Sequence, residues 1–140
     1  MNKISNIDHK KPCIGNAWID QGGIYAGTRL IDGKEHHIII ADGIEHDIQN
    51  VKFDDVEKAV PTEINGHSDW RAPDQEDLML AYVNVRQHFV HKGSDSLYWS
   101  RSVHHNWPWA VGFEDGTTHD LTRDFEFRVR PFRSFPANTI

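Results

Sequence analysis

Ten histidines and one cysteine among 140 residues are the side chains best suited to metal or nucleophilic chemistry. The histidines that lie closest together are His36-His37, His104-His105, His88 with His91, and His119 beside Asp120. A metal centre needs three or four ligands converging on one point. Neighbouring strand residues point to opposite faces, so neither His36-His37 nor His104-His105 grips one ion from a strand. His88 and His91 share a face at a helix end, but no third ligand accompanies them. No metal site is therefore predicted. Cys13 has no partner for an internal disulfide and stands in a polar stretch, and no Gly-x-Ser-x-Gly elbow occurs. The expectation is a protein that is not an enzyme and uses no cofactor.

One stretch combines groups suited to recognition. Arg101-Ser102-Val103-His104-His105-Asn106-Trp107-Pro108-Trp109 sets rigid rings beside directional hydrogen-bonding groups. Rings supply contact area at low entropic cost, and Arg, His and Asn supply direction. The candidate ligand-binding residues are Arg101, His104, His105, Asn106, Trp107 and Trp109. A second polar loop, from Thr117 to Arg123, is expected to border the same surface and adds His119 and Arg123. The competing use of Trp107 and Trp109 is to pack a long loop.

The elements that must hold these residues follow from pattern. Residues 1–21 are polar, broken by Pro12 and Gly15, and read as an N-terminal arm with a short apolar patch at Ile14 and Trp18. This arm, with Lys3, Lys10 and Lys11, is the segment expected to dock into a larger body. Residues 22–135 read as one domain and 136–140 as a tail. Ile24–Ile31 and His36–Ala41 are β-rich runs around Asp32-Gly33, a hairpin signal. A short extended piece falls within 45–51, and Phe53–Val60 has helical spacing that Pro61 ends. Asp74 caps a longer helix, with a carboxylate three residues later at Asp77. Leu78, Ala81, Tyr82, Val85 and Phe89 recur at helical spacing and face the core. Three further β-rich runs, at 97–103, 109–114 and 125–132, predict a C-terminal antiparallel meander.

Four ordered motifs tie these pieces together. Gly66-His67-Ser68-Asp69-Trp70-Arg71-Ala72-Pro73-Asp74-Gln75-Glu76-Asp77-Leu78 resembles the G-x-x-x-W-R-L-P-T-x-x-E-L pattern of the Lcl C-terminal domain family, a bacterial and phage domain. Tyr98-Trp99-Ser100-Arg101-Ser102, Trp109–Gly116 and Arg128-Val129-Arg130-Pro131-Phe132-Arg133 resemble its later strands in order and spacing. The motifs run from 66 to 133, about half of the chain. Ala72 stands where the family has Leu and Asp74 where it has Thr, and Asp caps a helix as well as Thr does. The resemblance implies a C-type lectin-like, α+β fold with an N-terminal hairpin, one or two helices and the C-terminal meander. Many C-type lectins bind sugar through calcium, but their Glu-Pro-Asn and Gln-Pro-Asp tripeptides are missing here, as are the cysteines of the formylglycine-generating enzymes. Trp70, Trp99, Trp109 and Phe113 read as core. Arg71, Arg128 and Arg130 read as structural ion-pair donors, with Asp69, Asp115 or Glu126 as their expected partners.

Charge and hydropathy bound the partners. The net charge of −6, from 21 acidic and 15 basic residues, argues against tracking a phosphate backbone, so no nucleic-acid partner is expected. The uninterrupted apolar runs, such as Ile38–Ala41, are far short of the roughly 20 residues of a membrane span. The basic residues near Met1 precede no apolar stretch, so no secretory signal is predicted and the expected location is the virion or the cytoplasm. The function expected is a non-enzymatic binding module, a phage or prophage virion component that meets a protein or cell-surface glycan, or another virion protein. Assembly as a homo-oligomer through the strand ending in Phe132 and Phe135 is compatible with this. The alternative is an intracellular phage-encoded inhibitor whose acidic surface occupies a basic site on a host protein.

Overall fold

The computed structural model describes residues 10–139. Residues 1–9 of the expected arm, including Lys3, lie outside the described residues. Beyond them, β1 (Ala17–Trp18) leads through a 3-10 turn into β2 (Gly23–Ile31), which β1 joins antiparallel. β3 (Lys34–Ile40) returns along β2 across Asp32 and Gly33, both at positive φ, 52° and 80°. That is the two-residue type I′ geometry matching the natural strand twist. Ile38, Ile39, Ile40 and Ala41 are all completely buried, so this strand is covered on both faces, as its unbroken apolar run requires.

After β4 (Ile48–Lys52), a 3-10 turn and the short α1 (Val56–Ala59) end before Pro61. α2 (Gln75–Val85) begins at the capping box read from sequence: Asp77 N–H donates to Asp74 Oδ1 at 2.8 Å, and Asp74 N–H to Asp77 Oδ2 at 2.9 Å. Asp77 is fully buried, and Arg71 and Arg29 both donate to it, at 2.6 and 2.8 Å. The helix continues as a 3-10 turn to His88, which brings Phe89 into the core.

β5 (Leu97–His104), β6 (Trp107–Gly112), β7 (Thr118–Asp120), β8 (Glu126–Val129) and β9 (Phe132–Pro136) complete the chain. Two sheets result, ordered β1-β2-β3-β9 and β4-β8-β5-β6-β7. The architecture is α+β, with two helices and mostly antiparallel sheets. The C-terminal meander is corrected. The run expected at 125–132 divides at Arg130-Pro131 into two strands in different sheets. β8 lies beside β4 and parallel to β5, whereas β9 crosses to pair with β3. Pro131 lacks the N–H that would continue a ladder, and its carbonyl accepts from Ala41 N–H at 3.0 Å. Residues 118–120, expected in a polar loop, form the edge strand β7 on β6.

The arginine partners also differ from those expected. Arg71 pairs with Asp77, Arg128 and Arg130 share Asp47, and it is Arg133 that meets Asp69. Arg130 is completely buried; it donates to Asp47 at 2.6 Å, to the Ala41 and His88 carbonyls at 3.0 and 2.9 Å, and lies over the Phe89 ring. The central core packs the inner face of the first sheet and α2 against Tyr98, Val111 and Phe113. Trp18, Tyr25, Ile39 and Trp70 pack on the outer face of the first sheet, and Val56, Ala72, Trp99 and Ala110 on that of the second. No helix among the described residues is long and apolar enough to cross a membrane.

Candidate functional site

The recognition stretch is the projecting end of the β5–β6 hairpin. His104 pairs with Trp107, and the two residues between them, His105 and Asn106, hold φ of 51° and 69°. This is again a two-residue turn of the type I′ class, for which Asn is well suited and His less so. Trp107 is 48% exposed and Val103 50% exposed. The His104 ring stands edge-on to His105 at 4.3 Å and to Trp109 at 5.3 Å.

A bulge anchors the hairpin. Between the pairs Trp99↔Ala110 and Val103↔Pro108, β5 has three residues where β6 has one. Ser100 Oγ donates to the Trp109 carbonyl at 2.8 Å and accepts from Ser102 N–H at 3.0 Å. Arg101 N–H donates to the Pro73 carbonyl at 2.8 Å, and Ser102 Oγ accepts the Gln75 N–H at the start of α2 at 3.0 Å. The two serines therefore fasten the bulge to β6 and to the helix, and the hairpin tip is carried on rigid elements.

Register divides the candidate residues between two faces. Trp107, Trp109 and Val111 lie on one side of β6, and pairing puts His104 on that side too. His119 pairs with Ala110 and so faces the other side, where its Nε2 meets Thr117 Oγ1 at 2.8 Å. Arg101 approaches Glu57 of α1 at 3.8 Å. Arg123 bonds Asp54 at 2.5 Å and lies over the Phe53 ring. α1 and the turn before it cover that second face through Val56 and Phe53. His104, Trp107 and Trp109 thus form one cluster, with His105 and Asn106 at its tip. Arg101, His119 and Arg123 lie behind it and do not border the same surface.

The other described histidines have separate partners. His88 meets the Gly15 carbonyl at 3.0 Å and His91 the Phe89 carbonyl at 2.9 Å. Among the described residues, no group of three or more His, Cys, Asp or Glu side chains is placed to hold a metal ion. A further groove, of about 740 Å³, lies on the outer face of the first sheet over Trp18, Tyr25 and His37. Sequence reading does not single it out, because its floor comes from three strands, and only the apolar character of Trp18 is visible locally. No family model matches the chain, and no curated protein matches it.

Proposed function

We propose that the chain is a non-enzymatic recognition module of the Lcl C-terminal domain type, with a C-type lectin-like fold, and that it serves as a phage or prophage virion component. The β5–β6 hairpin tip meets a protein or glycan on the bacterial surface or another virion protein. The observation that carries this reading is the exposed Trp107 beside the His104–His105–Trp109 ring cluster, on a hairpin pinned by Ser100 and Ser102. A half-exposed Trp on a rigid support forms contacts with little ordering cost. The motif resemblance supports the family reading through the roles its residues play here: Arg71 holds Asp77, and Ser102 holds the start of α2.

The test is capture by full-length protein from envelope fractions and from soluble host lysate, read by mass spectrometry. Trp107→Ala is expected to abolish envelope capture while leaving the melting curve unchanged. His105→Asn, which keeps a residue tolerant of positive φ, removes the imidazole without straining the turn. Envelope capture that survives Trp107→Ala excludes the hairpin. Stoichiometric capture of one soluble host protein instead would replace surface recognition with the intracellular inhibitor.

A further inference from the structure

The face of β6 that carries Trp107 and Trp109 also receives a carboxylate, from the edge strand β7. Gly112 N–H donates to the Thr117 carbonyl at 2.8 Å and Leu121 N–H to the Pro108 carbonyl at 2.9 Å. Those two pairs are hydrogen-bonded positions of the ladder, so Trp109↔Asp120, one step in from Pro108 and Leu121, is a non-hydrogen-bonded pair. Such pairs bring their Cα atoms to about 4.5 Å, against about 5.5 Å for hydrogen-bonded ones, and hold both side chains on one face. The exposed Asp120 therefore stands directly across from Trp109 and diagonal to Trp107. His104 takes the other flank, paired with Trp107 on β5 and with its ring 5.3 Å from that of Trp109.

The arginines nearest in sequence are turned away from this face. Arg101 reaches Glu57, and Arg123 reaches Asp54 and the Phe53 ring, all behind the hairpin. Farther along β6, Val111 joins Leu78, Ala81 and Val85 of α2 in the central core. The helix thus closes that end of the face and leaves the half-exposed Trp107 and Asp120 open at the other. The open end presents indole rings and a negative charge, on a chain whose net charge is −6.

We propose that this face binds an arginine side chain of a partner protein, with the guanidinium stacked on Trp107 and its N–H groups donated to the Asp120 carboxylate. This rests on the hairpin being the recognition site and names the chemistry it recognises. Diagonal neighbours on a sheet lie roughly 7–8 Å apart, within reach of one long side chain lying between them. An indole face attracts cations, and the planar guanidinium can stack on a ring while its fork meets a carboxylate. A lysine would reach Asp120 as a point charge without the stack. A phosphate or an acidic glycan would meet the carboxylate, and a neutral sugar would cover it with no opposing charge to offset the lost hydration.

The test titrates full-length protein with a capped glycine peptide carrying a single arginine, and with its citrulline and lysine counterparts, read from the indole N–H signals by NMR. The arginine peptide should move the Trp107 and Trp109 signals. The citrulline peptide, which keeps the shape and loses the charge, should bind about ten-fold more weakly. Asp120→Asn should weaken the arginine peptide about three-fold, the value of one exposed ion pair. Glu63→Gln removes the same charge from the exposed loop before α2 and should leave binding unchanged. Envelope capture by Trp107→Ala judges the hairpin itself, so capture lost in that variant but no preference for arginine would keep the hairpin and overturn only its chemistry. No movement with the arginine peptide, equal binding of citrulline, equal affinity in folded Asp120→Asn, tighter binding of the lysine peptide, or movement of the same signals by N-acetylglucosamine alone would each overturn the proposal.

Discussion

Asp77 joins three parts of the chain through one carboxylate. Oδ2 accepts from Arg71 on the approach to α2 and from the Asp74 N–H, and Oδ1 accepts from Arg29 on β2. Burial alone would raise its pKa, but the hydrogen bond and charge of Arg71, the Asp74 N–H and Arg29 outweigh that and hold it below the ordinary carboxylate range. Asp77→Asn would leave two guanidinium groups facing a neutral amide, and breaking a buried pair in this way costs about 3–5 kcal/mol. Urea unfolding measures it. The pH dependence has a definite sign. Because the folded pKa is depressed, the carboxylate stabilises fully above its unfolded value near ~4, and that contribution is lost as pH falls through the folded value. Wild-type stability should therefore drop with acid below about pH 4, with a shallower dependence in Asp77→Asn, measured by urea midpoints across that range.

At the scale of elements, the strands of the first hairpin leave no space for a side chain at one position. A Cβ built on Gly23 would lie 2.1 Å from the Ile40 carbonyl oxygen and 2.9 Å from the Ile39 side chain. The obstruction is backbone in the middle of the sheet, which cannot move aside without opening the β2–β3 ladder. Gly23→Ala should cost at least the roughly 1–3 kcal/mol of core overpacking. Thermal unfolding and the hydrogen exchange of the Ile40 amide would show it. This hairpin, its Asp32-Gly33 turn and the Asp74–Asp77 cap were legible in the sequence because each is fixed by residues a few positions apart. The crossing of β9 to β3, the parallel approach of β8 to β5 and the edge strand β7 were not, since distant pairings decide them. The candidate site divides in the same way. The ring-rich stretch 101–109 is visible locally. The separation of Arg101, His119 and Arg123 from Trp107 depends on the bulge at Ser100–Ser102 and on register with β7, which no local pattern encodes. The floor of the groove needs Trp18, Tyr25 and His37 on three paired strands.

The whole molecule is closed by its last strand. β9 pairs with β3, places Phe132 in the central core, and exchanges two backbone hydrogen bonds between Phe132 and Arg71, at 2.7 and 2.9 Å. Arg133 then reaches Asp69 at 2.7 Å and the Gln21 carbonyl at 2.9 Å, which ties the end of the chain to the loop before α2 and to the turn after β1. Val129 belongs to the second sheet and Phe132 to the first, so the chain crosses between the sheets here in two residues, with Arg130 buried inside that crossing. Such a connection couples their stabilities, because neither sheet can separate without exposing the Arg130 charge and its Asp47 partner. Native-state hydrogen exchange should accordingly give the Ile38–Ile40 amides of the first sheet and the Tyr98–Ser100 amides of the second the same opening free energy, equal to that of global unfolding. Removing residues 132–140 should abolish the single cooperative transition and leave the β3 edge free to pair between molecules. Two exchange classes, with one sheet opening well before the other, would mean that the split run at Arg130-Pro131 merely connects the sheets and does not lock them.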